Sequence, residues 1–116
     1  MLTNFGKELR KLRIDRDERL LDMAERLDKS ASFISAVEAG KKPLSNNFEE
    51  LVIKAYALVG EAAEAIRRAA DASRRTFSLE PNSALGRDTA GLLARRMNSL
   101  SEGQLREIRN ILENKR

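Results

Sequence analysis

The chain has 116 residues, no cysteine and no histidine, and a net charge of +4 from 22 basic and 18 acidic side chains. That length suits one domain plus a small appendage, and the composition excludes disulfides, thiolate or imidazole metal sites and histidine general bases. Its longest run without a charged side chain is the 8 residues Ser30–Val37. A bilayer span needs ~20 apolar residues, and Lys7 and Glu8 precede any apolar run, so no membrane partner, no secretory leader and a cytoplasmic address are expected.

Few aromatics and only 2 prolines argue against an all-β fold, and apolar residues recur at helical spacing. Helix 1 is predicted over Asn4–Arg16, with Phe5, Leu9 and Leu12 on one face. Helix 2 follows over Leu20–Leu27, burying Met23, Ala24 and Leu27. The connection Asp28-Lys29-Ser30 leads into helix 3, with Ser30 as its cap and Phe33, Ile34 and Val37 inward. Gly40 ends that helix and Pro43 prevents its resumption. Helix 4 is predicted to be capped by Asn46 or Asn47, to bury Phe48, Leu51, Val52, Ala55 and Val59, and to end at Gly60. Helix 5 spans Glu61 to Ser73, with Ile66 its largest buried residue. Pro81, Asn82 and Gly86 then break the pattern over 74–86, where Thr76–Glu80 alternates polar and apolar residues as a short strand would. Two amphipathic helices close the chain. One covers Arg87–Asn98 with Leu92, Leu93 and Met97. The other starts at Ser101, which forms a capping-box pattern with Gln104, and carries Leu105, Ile108, Ile111 and Leu112.

Two short helices joined by about three residues, with a third before them, describe a helix-turn-helix core. The run FGKELRKLRIDR…LLDMAERLDKSASFISAVEAGKKPL resembles the Cro/phage-repressor (XRE) helix-turn-helix family over about Leu2–Val59. Its marks are Leu9, Leu12-Arg13, Met23-Ala24, Leu27, Ser30, Ile34, Val37, Glu38-Ala39-Gly40 and Lys41. The resemblance implies a five-helix lambda-repressor-like domain over 1–73; with the strand-like linker over 74–86 and the two C-terminal helices over 87–116 read from the residue pattern, an all-α architecture is expected. It also implies a transcriptional repressor that places helix 3 in the major groove of an operator, a double-stranded DNA site with two-fold symmetry.

In that family an arginine of helix 1 pairs with the glutamate closing helix 3, which by residue match are Arg13 and Glu38. Such a pair orders the reading helix without reading anything itself. The outward positions of helix 3 are Ser30, Ala31, Ser32, Ser35 and Ala36, which can meet base edges or thymine methyls. Capping or plain solvation is the alternative for each serine. Lys29, Lys41, Lys42, Asn46 and Asn47 are the candidate phosphate contacts. The chain departs from the family between helices 1 and 2. Asp17 stands where glycine is usual, Glu18 where an apolar residue packs, Arg19 where Ser or Thr caps, and Leu20 where a polar residue touches phosphate.

The C-terminal residues are too few for a core of their own. Phe77, Leu79, Leu92, Leu93, Met97, Leu105, Ile108 and Leu112 are therefore expected to form a homodimer interface, folding back on helix 5 being the alternative. A second functional reading is an antitoxin-like autoregulator whose C-terminal segment binds a toxin, or one controlled by a regulatory protease cutting near 74–86. No cofactor, metal or enzymatic activity is expected, since Glu49-Glu50 and Glu61/Glu64 read as exposed helix faces without a partner base or Gly-rich loop.

Overall fold

A computed structural model describes residues 1–114 and is all-helical, with no strand among the described residues. The chain divides into two compact units, Met1–Ser78 and Leu79–Arg116. Among the described residues no helix is long and apolar enough to cross a membrane.

The first unit holds α1 (Asn4–Asp15), α2 (Leu20–Leu27), α3 (Ala31–Glu38), α4 (Phe48–Ala55) and α5 (Gly60–Ser73). Local chemistry sets most of their ends. Thr3 caps α1 by accepting from the Gly6 N–H at 3.0 Å, and Ser30 caps α3 by accepting from the Phe33 N–H at 3.0 Å. After α3, Gly40 takes φ +75° while the Lys41 N–H reaches back to the Ala36 carbonyl at 2.9 Å. Packing joins α1 to α5 and α3, α2 to α3 and α4, and α4 to α5. Phe5, Leu9, Met23, Leu27, Ile34, Val52 and Tyr56 are fully buried at the centre. Each such side chain contributes about 1.5–3 kcal/mol by leaving water. Phe48 ties the helices together, its ring meeting Phe5 edge-on at 5.9 Å and Phe33 at 5.8 Å.

Gly6 fixes how closely α1 and α3 approach. A β-carbon there would stand 2.2 Å from the Glu38 carbonyl oxygen, which is backbone and cannot swing away. Gly6→Ala should therefore cost about 1–3 kcal/mol, read by thermal unfolding. Alanine is the better helix former by about 1 kcal/mol, so a stabilised variant would show that the two helices are not in contact there.

Several expectations for α4 and for the segment after α5 are corrected. Helix α4 stops at Ala55 because Ala57 turns to φ +51°, so the helical period does not reach Val59, which is 80% exposed. Tyr56 takes the buried slot instead, Leu51 faces outward, and Gly60 begins α5 rather than ending α4. Asn47 precedes α4, but its side chain makes no capping bond. Thr76–Glu80 is not a strand, because one alternating segment has no second strand with which to share its backbone hydrogen bonds.

The second unit contains α6 (Ala84–Arg96), a single 3₁₀ turn over Met97–Ser99, and α7 (Glu102–Glu113). Helix α6 starts three residues before the expected Arg87, because Ser83 caps it by accepting from the Gly86 N–H at 2.9 Å. Gly86 thus lies inside the first turn. Ser101 and Gln104 form the reciprocal cap of α7, at 3.1 and 2.9 Å. Among the described residues of α6 and α7 no side chain is fully buried. Leu93 and Ile108 are half-buried, while Leu92, Met97, Leu105 and Leu112 are exposed. Phe77 and Leu79 are exposed as well, and they belong to different units.

Candidate nucleic-acid interface

Helix α3 is held at its C-terminal end by both backbone and side chain. The Glu38 carbonyl accepts from the Thr3 N–H at 3.0 Å and from the Thr3 hydroxyl at 3.2 Å. Its carboxylate accepts both guanidinium nitrogens of Arg13, one of them at 3.4 Å, and Arg13 also reaches the Met23 sulfur at 3.4 Å. The two side chains are only 10% and 5% exposed, so this is a bidentate pair withdrawn from water. The pair thus joins α1, α2 and α3 at one point.

The turn into α2 is organised by the residues that depart from the family pattern. Asp17 adopts φ +54°, the left-handed conformation that makes glycine usual at such a turn. Glu18 is drawn inward: its carboxylate accepts the Tyr56 hydroxyl at 2.7 Å and pairs with Arg26. Burial and the bond to Glu18 push the Tyr56 phenol up to about 12. The same hydroxyl, helped by Arg26, holds the Glu18 carboxyl below its ordinary value. The Arg26 and Arg16 guanidinium carbons lie 4.5 and 5.4 Å from the centre of the Tyr56 ring, and Arg16 donates to the Tyr56 carbonyl at 3.0 Å. A polar cluster here replaces the apolar contact and joins α2, which carries α3, to α4. At the start of α2 the Arg19 side chain is exposed, and the Arg19 backbone N–H donates to the Asp22 carboxylate at 2.8 Å.

On α3 itself Ser32 and Ser35 are exposed, while Ala31 and Ala36 are half-buried beside them. The Ser30 oxygen is occupied as an N-cap acceptor, which leaves its hydroxyl hydrogen to donate elsewhere. Lys29 and Lys42, at opposite ends of the helix, both bring their ammonium groups to 5.3 Å from the Phe33 ring centre. Phe33, expected to point inward, packs against the core but stays half-buried and supports both cations. Lys41 borders the recess that Ser35, Ala36 and Ala39 line. Asn46 is exposed and donates to the Ser78 carbonyl at 3.3 Å, and Asn47 is exposed.

Of the glutamates expected on exposed helix faces, Glu50, Glu61 and Glu64 are exposed and Glu49 is not. Glu49 is buried and paired with Arg74, which donates to it at 2.9 Å through one nitrogen and through a second to both Glu49 and the Ser45 carbonyl. Glu50 and Glu64 both pair with Arg67, and Glu61 with Arg68. Among the described residues no group of three or more acidic side chains is placed to hold a metal ion. Gly6, Tyr56 and the Arg74–Glu49 pair are the positioning features that sequence reasoning missed. Arg74 lay one residue beyond the expected domain edge, and nothing local marks its partner.

Comparison with family models, curated proteins and solved structures finds no match to this chain.

Proposed function

We propose that the chain is a sequence-specific DNA-binding repressor of the Cro/phage-repressor type, acting in the cytoplasm as a homodimer with α3 in the major groove. The observation that carries this reading is the setting of α3. It is joined to α2 by three residues, anchored to α1 through Arg13 and Glu38, and presents small side chains flanked by Lys29, Lys41 and Lys42. Small outward residues let a helix approach base edges closely, and the lysines supply phosphate contacts. The family resemblance over Leu2–Val59 supports the same assignment. The apolar faces of α6 and α7 support a second copy, since Leu92, Met97, Leu105 and Leu112 are left in water.

Selection of bound sequences from random DNA by the purified chain tests this. A two-fold symmetric site with half-sites about 34 Å apart is expected, and failure to enrich any sequence would overturn the reading. A monomeric full-length chain would favour the antitoxin-like or protease-controlled alternative, in which the C-terminal helices take a different protein.

Lys41→Ala and Lys42→Ala should each weaken operator and random DNA alike and lower the slope of log affinity against log salt by about one unit. A loss confined to the operator, with the slope intact, would make these lysines base readers.

A further inference from the structure

Charge and side-chain size set the outer face of α3 apart. Over residues 29–47 the charged side chains are Lys29, Glu38, Lys41 and Lys42, and Glu38 is buried against Arg13. The exposed charge of that span is therefore wholly positive. Within it Ala31, Ser32, Ser35, Ala36 and Ala39 line, together with Leu20 of α2, a shallow recess open to solvent. Apart from Leu20, these side chains end one atom beyond Cα or at a hydroxyl. No Arg, Lys, Asn or Gln stands on α3 to form the paired hydrogen bonds that usually distinguish guanine or adenine.

A face of this kind discriminates by what projects toward it. The thymine 5-methyl is the apolar group that base pairs present in the major groove, and alanine methyls are suitable partners for it. We propose that this recess receives thymine 5-methyl groups, so that the position of thymines in each half-site is the main sequence signal the protein reads. Leu20 stands where the family pattern has a polar phosphate contact, and here it extends the apolar floor of the recess. The charge commits the occupant: Lys41 is the charged residue lining the recess, and the other exposed charges of residues 29–47, Lys29 and Lys42, are also positive, which suits a polyanionic duplex carrying exposed methyls, not an apolar protein segment. Ser32 and Ser35 add single hydrogen bonds to neighbouring edges. This inference rests on the DNA-binding reading and makes it specific.

The test uses the full-length chain and its selected operator, with deoxyuridine replacing each thymine in turn. That exchange removes one methyl and keeps every hydrogen-bonding group. Affinity should fall about fourfold at each contacted thymine and stay unchanged at thymines outside the α3 contacts. In Ala36→Gly the penalty should vanish at the thymine facing residue 36. Should that variant fold poorly, the deoxyuridine series on the unaltered protein still decides. An operator indifferent to the loss of every methyl overturns the inference and leaves DNA binding standing. If no sequence is enriched over random DNA, the functional reading falls and the inference falls with it.

Discussion

Arg13→Ala should lower the folding free energy by about 3–5 kcal/mol, a large fraction of what a domain of this size has. The loss comes less from the attraction removed than from the charge left behind. The Glu38 carboxylate is only 5% exposed and would face the core without its bidentate partner. Adding Glu38→Gln removes that stranded charge, so the double variant should recover part of the stability. Urea unfolding of the two single variants and the double variant measures the coupling. Strictly additive losses would show that the two side chains do not interact.

Truncation should separate folding from affinity, and the place of the cut matters. A chain ending at Ser78 keeps the whole first unit and should unfold at the same denaturant concentration as the corresponding helices of the full-length chain. It should be monomeric, and its operator affinity should fall by about 10² to 10⁴, because a second head tethered in the same dimer binds at a high effective concentration. A chain ending at Ser73, where the sequence places the domain edge, should behave differently. It lacks Arg74, whose side chain is 6% exposed and fills the buried site beside Glu49. Glu49 would be left unpaired and the Ser45 carbonyl would lose a donor, which should cost about 3–5 kcal/mol. Circular dichroism, light scattering and gel-shift titration on the three chains distinguish these outcomes. Equal DNA affinity for the full-length and Ser78 chains would sink the dimer reading, and equal stability for the two truncations would sink the role given to Arg74.

What could be read from the sequence was what nearest neighbours along the chain decide. Ser30, Ser101 and Gln104 announce helix starts because a cap joins residues three apart. The stripe of Phe5 and Leu9 announces α1 because its period is local. The end of α4 was missed because Ala57, not a glycine, takes the left-handed turn, so the apolar pattern continued past the true stop. The polar contacts that tie distant elements together were harder still. Glu18 meets Tyr56 across 38 residues, and Glu49 meets Arg74 across 25. Both carboxylates look like solvated charges, Glu18 in a turn and Glu49 on a helix, until the fold brings their partners to them. Gly6 was silent for the same reason: its need for a hydrogen side chain comes from a carbonyl 32 residues away.

The anchoring of Glu38 makes α3 a lever with its pivot at the end farther from Ser30. Ala31 lies seven residues from the pivot, about 10 Å along the axis at 1.5 Å per residue. A tilt of about 10° at Glu38 would carry Ala31 sideways by roughly 2 Å, more than a hydrogen bond or a methyl contact tolerates. On the proposed reading of α3 as the DNA-reading helix, substitutions at Thr3, Gly6 or Arg13, none of them on its outer face, would act as alignment errors that grow with distance, blurring discrimination most near Ala31 and least near Lys41.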